Sequence, residues 1–242
     1  MNGVFGWVAR RRLVVLVTTL LVAVGLEVLL HVVGDETAAW MVILAVDLGL
    51  PVLLLVGAMV AVRTHHPATL VARPDVPAFE TPADPVVVLG SAAFTVWPVK
   101  WGADAIEDVA AYPEEWFFPA LVAFIAVVVT VLFWIAALGR FGVRLRPDGI
   151  LSRRVVGSRF IPWDALELPH PATAHHPQWV SLNLVRSSGV PVVLPATGVS
   201  AELLARAVHE YANRPDLRPA LGTRAELDRF QAIPQIAALR ER

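Results

Sequence analysis

The chain has 242 residues, 56% of them hydrophobic and 17% charged, with a formal net charge of −1 and a mean hydropathy of +0.61. A soluble domain carries about a quarter of its residues charged, so a wholly soluble chain is excluded, and near-neutrality argues against a nucleic-acid binder, for which a strongly basic domain is expected. The lack of cysteine excludes disulfides, thiolate metal sites and a cysteine nucleophile.

The first half predicts membrane helices. An apolar run over 13–33 follows Arg10, Arg11 and Arg12 and matches the roughly 20 residues that cross a bilayer. A signal peptide has a shorter apolar region, about 7–15 residues, ending at a small-residue cleavage site. No such site follows, so this is read as an uncleaved helix. A second run covers 39–62, and the short link 34–38 makes the pair an antiparallel hairpin. Residues 63–84 carry Pro67, Pro74, Pro77, Pro82 and the His65–His66 pair without a period, and read as an irregular cytoplasmic linker. The segment 85–101 is weaker, with Pro98 inside and Lys100 near its end. The run 117–138 is the most apolar, with Trp116, Phe118 and Trp134 suited to the interfacial belt.

Charge placement orients these runs, because Lys and Arg favour the cytoplasmic side of short loops. Arg10–Arg12, then Arg63 and Arg73, then Arg140, Arg144 and Arg146 all mark the inside. Two crossings must lie between Arg73 and Arg140, so four spans are expected, with both termini cytoplasmic in the cell (inner) membrane. The outer loop would hold Asp104, Glu107, Asp108, Glu114 and Glu115. The alternative is three spans with 86–112 as a re-entrant or surface helix.

From Phe141 the period changes to two. Strands are predicted over 142–146, 150–156, 158–163, 165–168, 179–186 and 190–194, with turns at 146–149, at Gly157 and at 187–189, and a polar loop over 170–177. Ser200 is a candidate N-cap for one helix, with Glu202 in its first turn and an apolar stripe of Leu203, Leu204, Ala207, Val208 and Tyr211. Asn213 and Pro215 end it.

The runs Gly142–Gly149 (GVRLRPDG) and Ile161–Asp164 (IPWD), with His209–Pro215 (HEYANRP), Leu217–Arg218 and Leu221–Thr223 (LGT), resemble bacterial pleckstrin-homology-like (PH-like) membrane proteins of high-GC organisms. The resemblance covers about 140–230. It implies a curved antiparallel sheet capped by one C-terminal helix, with Trp163 in a core or strand-end position, Asp164 in a turn and no catalytic residue. Eukaryotic PH domains hold inositol phosphates around a longer first loop; here that loop is the tight Pro147–Gly149 turn. The expected architecture is a transmembrane bundle of about four helices over 1–139, a β-rich PH-like domain over 140–215 and a tail over 216–242.

Two groups of residues are candidates for function. Glu27 and Asp47 lie at membrane depth, about 9 Å and about 12 Å from the same side on a 1.5 Å rise, where charged groups are costly. His31 is one turn from Glu27, and Pro51 frees the Asp47 carbonyl. These groups could bind a cation or relay protons. Protonated carboxyls bonding across helices are the simpler reading, since no basic partner except His31 and no further polar lining are evident. Arg153, Arg154 and Arg159 form the second group, a basic patch in a region with fourteen Arg against nine Asp and Glu, suited to an anionic leaflet or a partner. His170, His175 and His176, like His65–His66, read as solvated loop histidines, with no metal and no cofactor implied. No hydrolase, nucleotide-binding or zinc-protease signature occurs. The leading expectation is a non-enzymatic membrane protein that presents its PH-like domain to a cytoplasmic or membrane protein partner or to the bilayer surface. The alternative is a small transport or ion- or proton-coupled subunit.

Overall fold

The computed structural model describes all residues except 1, 34–37, 66, 68, 113, 115, 140–141, 155–156, 186–191, 197 and 241–242, and all their side chains except those of 2, 175 and 233–240. The link at 34–37, His66, Glu115, Arg140, Phe141, the strand end 155–156, Arg186, the turn 187–189 and Val190 therefore lie outside the described residues, as does the side chain of His175. The chain forms two compact units, Met1–Thr64 with Asp84–Gly139 and His65–Ala83 with Arg140–Arg242.

The first unit is helical: α1 (Asn2–Arg10), α2 (Arg12–Val33), α3 (Ala38–Thr64), α4 (Pro85–Ala111) and α5 (Phe117–Leu138). Helices α2 to α5 are each long and apolar enough to cross a membrane, and the protein is membrane-spanning. Helix α4 does not stop at residue 101. It runs through Pro98 to Ala111, about 40 Å at 1.5 Å per residue, so Asp104, Glu107 and Asp108 are helical rather than part of a loop. Its start is fixed by Pro85 at the first helical position and by the Asp84 carboxylate, which accepts from the Val86 N–H at 2.8 Å. Pro98 frees the Phe94 carbonyl, a loss tolerated where other helices surround the break.

Helix α4 touches every other helix of the unit. That explains its mean hydropathy of 1.3 against 2.4 to 2.9 for the others: its faces meet protein, where polar atoms find partners. Ser91 Oγ donates to the Phe133 carbonyl at 2.9 Å, and the Trp134 indole N–H donates to the Thr95 hydroxyl at 2.9 Å. Phe94 stacks on Phe133 with centroids 4.6 Å apart. Small residues let backbones approach: Ala58 and Ala61 meet Val88 and Leu89, and Ala92 meets Leu16 and Ala137. Helix α1 has no counterpart among the expected elements. It buries Phe5 and Val8 against the end of α3 and the start of α4. At the same end the Arg12 guanidinium donates to the Ala137 and Gly139 carbonyls at 3.3 and 3.0 Å, satisfying the free C-terminus of α5. The start of α2 and the end of α5 thus share one end of the bundle.

The second unit holds two antiparallel sheets. One runs in chain order through β1 (Val71–Arg73), β2 (Ala78–Glu80), β3 (Gly142–Arg146), β4 (Gly149–Arg153) and β5 (Ser158–Pro162). The other joins β6 (Ala172–His176), β7 (Trp179–Leu182) and β8 (Val192–Pro195). Helix α6 (Ala201–Asn213) packs on β6 and β7, and its expected cap is present: Ser200 Oγ accepts from the Leu203 N–H at 3.2 Å. Gly149 lets β5 lie close against β4, since a Cβ there would lie 2.5 Å from the Ile161 carbonyl oxygen.

In the second unit four expectations need correction. The linker 63–84 is not irregular: β1 and β2 form a hairpin that pairs with β3, placing Phe79 fully in the core. Glu80, 8% exposed, ties this hairpin down through ion pairs with Arg73 at 3.0 Å and with its cross-strand neighbour Arg144. Residues 165–168 are not a strand: Trp163–Ala165 is a 3₁₀ turn and only Leu166 pairs, with Leu184. The loop 170–177 contains β6, whose register shift between Thr173 and His176 masks its alternation.

The tail is the fourth. Residues 215–220 form a 3₁₀ turn and Arg224–Arg240 forms α7. Leu221 and Phe230 join the core, and Gly222 adopts φ +93°, where a Cβ would lie only 2.5 Å from the Ala78 nitrogen. The buried Tyr211 hydroxyl donates to Glu226 at 2.8 Å, and Arg229 donates to both Glu226 and Glu210 at 2.7 Å. Burial alone would raise the Glu226 carboxyl, but the bonds from Arg229 and Tyr211 outweigh it and hold it below its ordinary value. Burial and the bond to Glu226 push the Tyr211 phenol up.

Phe230→Ala, read by thermal unfolding and limited proteolysis of the full chain, should destabilise this unit by about 3 kcal/mol; an unchanged protein would return α7 to the status of a tail. A carboxyl lowered on folding stabilises above its unfolded value and loses that contribution as pH falls through its folded value. The midpoint difference between the natural chain and Glu226→Gln should therefore be full at neutral pH and shrink below about pH 4. A difference independent of pH would mean that packing, not charge, is what the substitution removes.

Candidate functional site

The membrane unit brings charged groups together at the end of the bundle opposite Arg12. Glu27 is on α2, Asp47 on α3, and Lys100, Asp104 and Glu107 on α4. The Lys100 Nζ stands 3.8 Å from Glu27 Oε1, with side chains 33% and 13% exposed. That is an ion pair too long for a hydrogen bond, and Glu27 Oε1 has no hydrogen-bond partner. Asp47 is 2% exposed and its Oδ1 has no hydrogen-bond partner. The Glu27 carboxylate thus faces the Lys100 ammonium, and α3 buries a second carboxyl, Asp47, in the same bundle.

His31 does not join Glu27. Its Nδ1 lies 3.2 Å from Glu107 Oε1, and both side chains are exposed. Adjacent turns of α2 therefore send Glu27 inward and His31 to the rim.

A groove of about 1120 Å³ between α2 and α5, open along its outer side, lies beside this cluster, and its wall residues Val28, Val127 and Val131 are exposed. Its walls are apolar, built from Leu20, Val24 and Val28 of α2 and Val127 and Val131 of α5. Glu27, Lys100, His31, Asp104 and Glu107 form its polar end. The sequence reading missed Lys100 as a partner because it lies far along the chain, on the helix whose membrane status was open. The available signal was its identity as the single lysine, placed four residues before Asp104 on one helix face.

Among the described residues no group of three His, Asp or Glu side chains could hold a metal ion. His176 is engaged locally, its Nδ1 accepting from the Gln178 N–H at 3.2 Å.

In the second unit Arg153, Arg154 and Arg159 are all exposed and lie at one end of the β4–β5 hairpin. They do not form one face. Arg153 pairs with Ser158 while Arg159 pairs with Ser152, so alternation sends Arg153 and Arg159 to opposite sides of the sheet. Arg154 turns toward the second sheet and donates to the Val193 carbonyl at 3.3 Å. Trp163 is core, its indole donating to the Arg146 carbonyl at 2.9 Å, and Asp164 sits in the turn.

Lys100→Met removes the counter-charge of Glu27 and should lower bundle stability in detergent by about 2 kcal/mol at neutral pH. Glu27→Gln in that background should recover part of the loss. An unchanged midpoint in Lys100→Met would show that the ammonium is not what holds Glu27.

Compared with protein-family models, curated proteins and solved structures, the chain finds no match in any of the three.

Proposed function

We propose that the protein is a small cation- or proton-coupled membrane subunit, working through Glu27, Asp47 and Lys100. The observation that carries this reading is the buried Asp47, with an unpartnered Oδ1, in a bundle whose Glu27 carboxylate is only loosely paired with the Lys100 ammonium. Charge left unpaired at membrane depth is costly, so the site calls for one more positive equivalent. A proton fits better than a metal ion, because the described residues offer no three-group ligand set. Lys100 as a basic partner of Glu27, and the polar residues that α4 adds beside it, support this reading over inert carboxyls.

The second reading is a non-enzymatic protein that displays a PH-like domain at the cytoplasmic face for protein or leaflet contact. It is favoured by the strand order, a meander followed by a second three-stranded sheet and then α6. The two readings are compatible, one for each unit. The distribution of arginine supports cytoplasmic termini and the inner membrane of a high-GC bacterium: Arg10–Arg12 and Arg63 lie at one end of the bundle, whereas Asp104 and Glu107 lie on the far part of α4.

Two measurements test this. In proteoliposomes carrying a pH-sensitive dye, the full chain should move protons down an imposed gradient, and Asp47→Asn should abolish the flux without preventing insertion. Flux no greater than in protein-free vesicles would remove the coupled reading. Single cysteines at Ala38, Ala110 and Asp148, probed in intact cells with an impermeant thiol reagent, should label only at the first two. Labelling at position 148 would reverse the orientation.

A further inference from the structure

We infer that the bundle groove is a binding site for a lipophilic organic cation, a ligand with apolar bulk and a single delocalised or ammonium charge. The inference rests on the proposed cation coupling of the same site and names the class of ligand that would enter it.

Size, wall chemistry and charge each point the same way. The groove, about 1120 Å³, is large enough for a drug-sized molecule; ligand sites typically span about 300–1,000 Å³. Its long walls are valine and leucine from α2 and α5, and a second apolar groove of about 580 Å³ shares Leu20, Thr130 and Val131 with it. A hydrated inorganic ion would have to shed its water beside such walls, whereas a lipophilic ion that already partitions into the bilayer meets them without that cost, so the charged end decides what is held.

The polar end selects the sign. Glu27, Asp104 and Glu107 face it, with Lys100 as the one fixed positive charge and His31 already engaged with Glu107. Asp47, buried on α3, does not line it. From α5 no titratable side chain arrives, since residues 117–138 contain none. The field in the groove is therefore negative, and low-dielectric walls strengthen it. The Glu27–Lys100 contact is loose, at 3.8 Å, so an entering cation competes with Lys100 for Glu27 rather than having to break a tight hydrogen-bonded pair. Lys100 acts as an internal competitor for the ligand.

The test uses two ions of one shape and opposite charge. Binding of tetraphenylphosphonium and of tetraphenylborate to the detergent-solubilised full chain is measured by equilibrium dialysis against protein-free micelles. Tetraphenylphosphonium should bind at least about tenfold more tightly than tetraphenylborate. Glu27→Gln should weaken it by about tenfold, and Lys100→Gln should tighten it. Should Glu27→Gln fail to fold, the exposed rim pair Asp104→Asn with Glu107→Gln serves instead and should weaken binding severalfold. Equal binding of the two ions, or phosphonium binding indifferent to the charge substitutions, overturns the inference. Proton flux without phosphonium binding would sink the ligand class alone, and binding without flux would sink the coupling alone.

Discussion

Hydrocarbon supplies no hydrogen bonds, so a helix that carries serine, threonine, lysine and a mid-helix proline must find its partners in neighbouring helices. Helix α4 is that helix, and the membrane unit is arranged around it. The hydroxyls of Ser91 and Thr95 bond to α5, the alanines of α3 close over Val88 and Leu89, and Lys100 meets the carboxylate of α2. The outer helices can then be largely apolar, with Glu27 of α2 and Asp47 of α3 as the marked exceptions.

The second unit meets the same demand in water by other means. Its buried polar groups are tied in small closed networks: Glu80 between Arg73 and Arg144, and Glu226 between Tyr211 and Arg229. Each network joins segments distant in the chain, the hairpin to β3 in one case and α6 to α7 in the other. Arg218 adds a third tie, donating to the Tyr211 and Ala212 carbonyls at the end of α6 while its guanidinium covers Trp163 at 5.4 Å. Breaking one partner of such a network leaves the other buried and uncompensated, which makes these ties markers of register more than reserves of stability.

Sequence reading recovered what repeats over many residues. The apolar runs of α2, α3 and α5, the alternation in β3 and β7, and the capped stripe of α6 all have periods long enough to detect. Three-residue strands do not, and β1 and β2 are defined by pairing with a strand some sixty residues later. Strand β6 was hidden by its polar sequence and its bulge. Helix α7 went unread because only its tertiary contacts at Leu227 and Phe230 distinguish it from a tail. In the site, Glu27 and Asp47 were legible as charges in apolar runs. Lys100 was not, since whether a lysine lies at a helix end or inside a bundle depends on what packs around it.

The chain leaves the bundle to form β1 and β2, returns for α4 and α5, and leaves again before β3 is made. The hairpin therefore emerges from the ribosome without its neighbour. At about 5–20 residues per second, several seconds pass before Gly142 appears, and two membrane helices must be inserted in that interval. The second unit is consequently the last part of the protein to close, and its closure reports that both preceding helices have been made. Cutting the chain before residue 140 would not release a complete domain either: β3 would begin it with an open hydrogen-bonding edge, the kind of surface that draws strands from other chains.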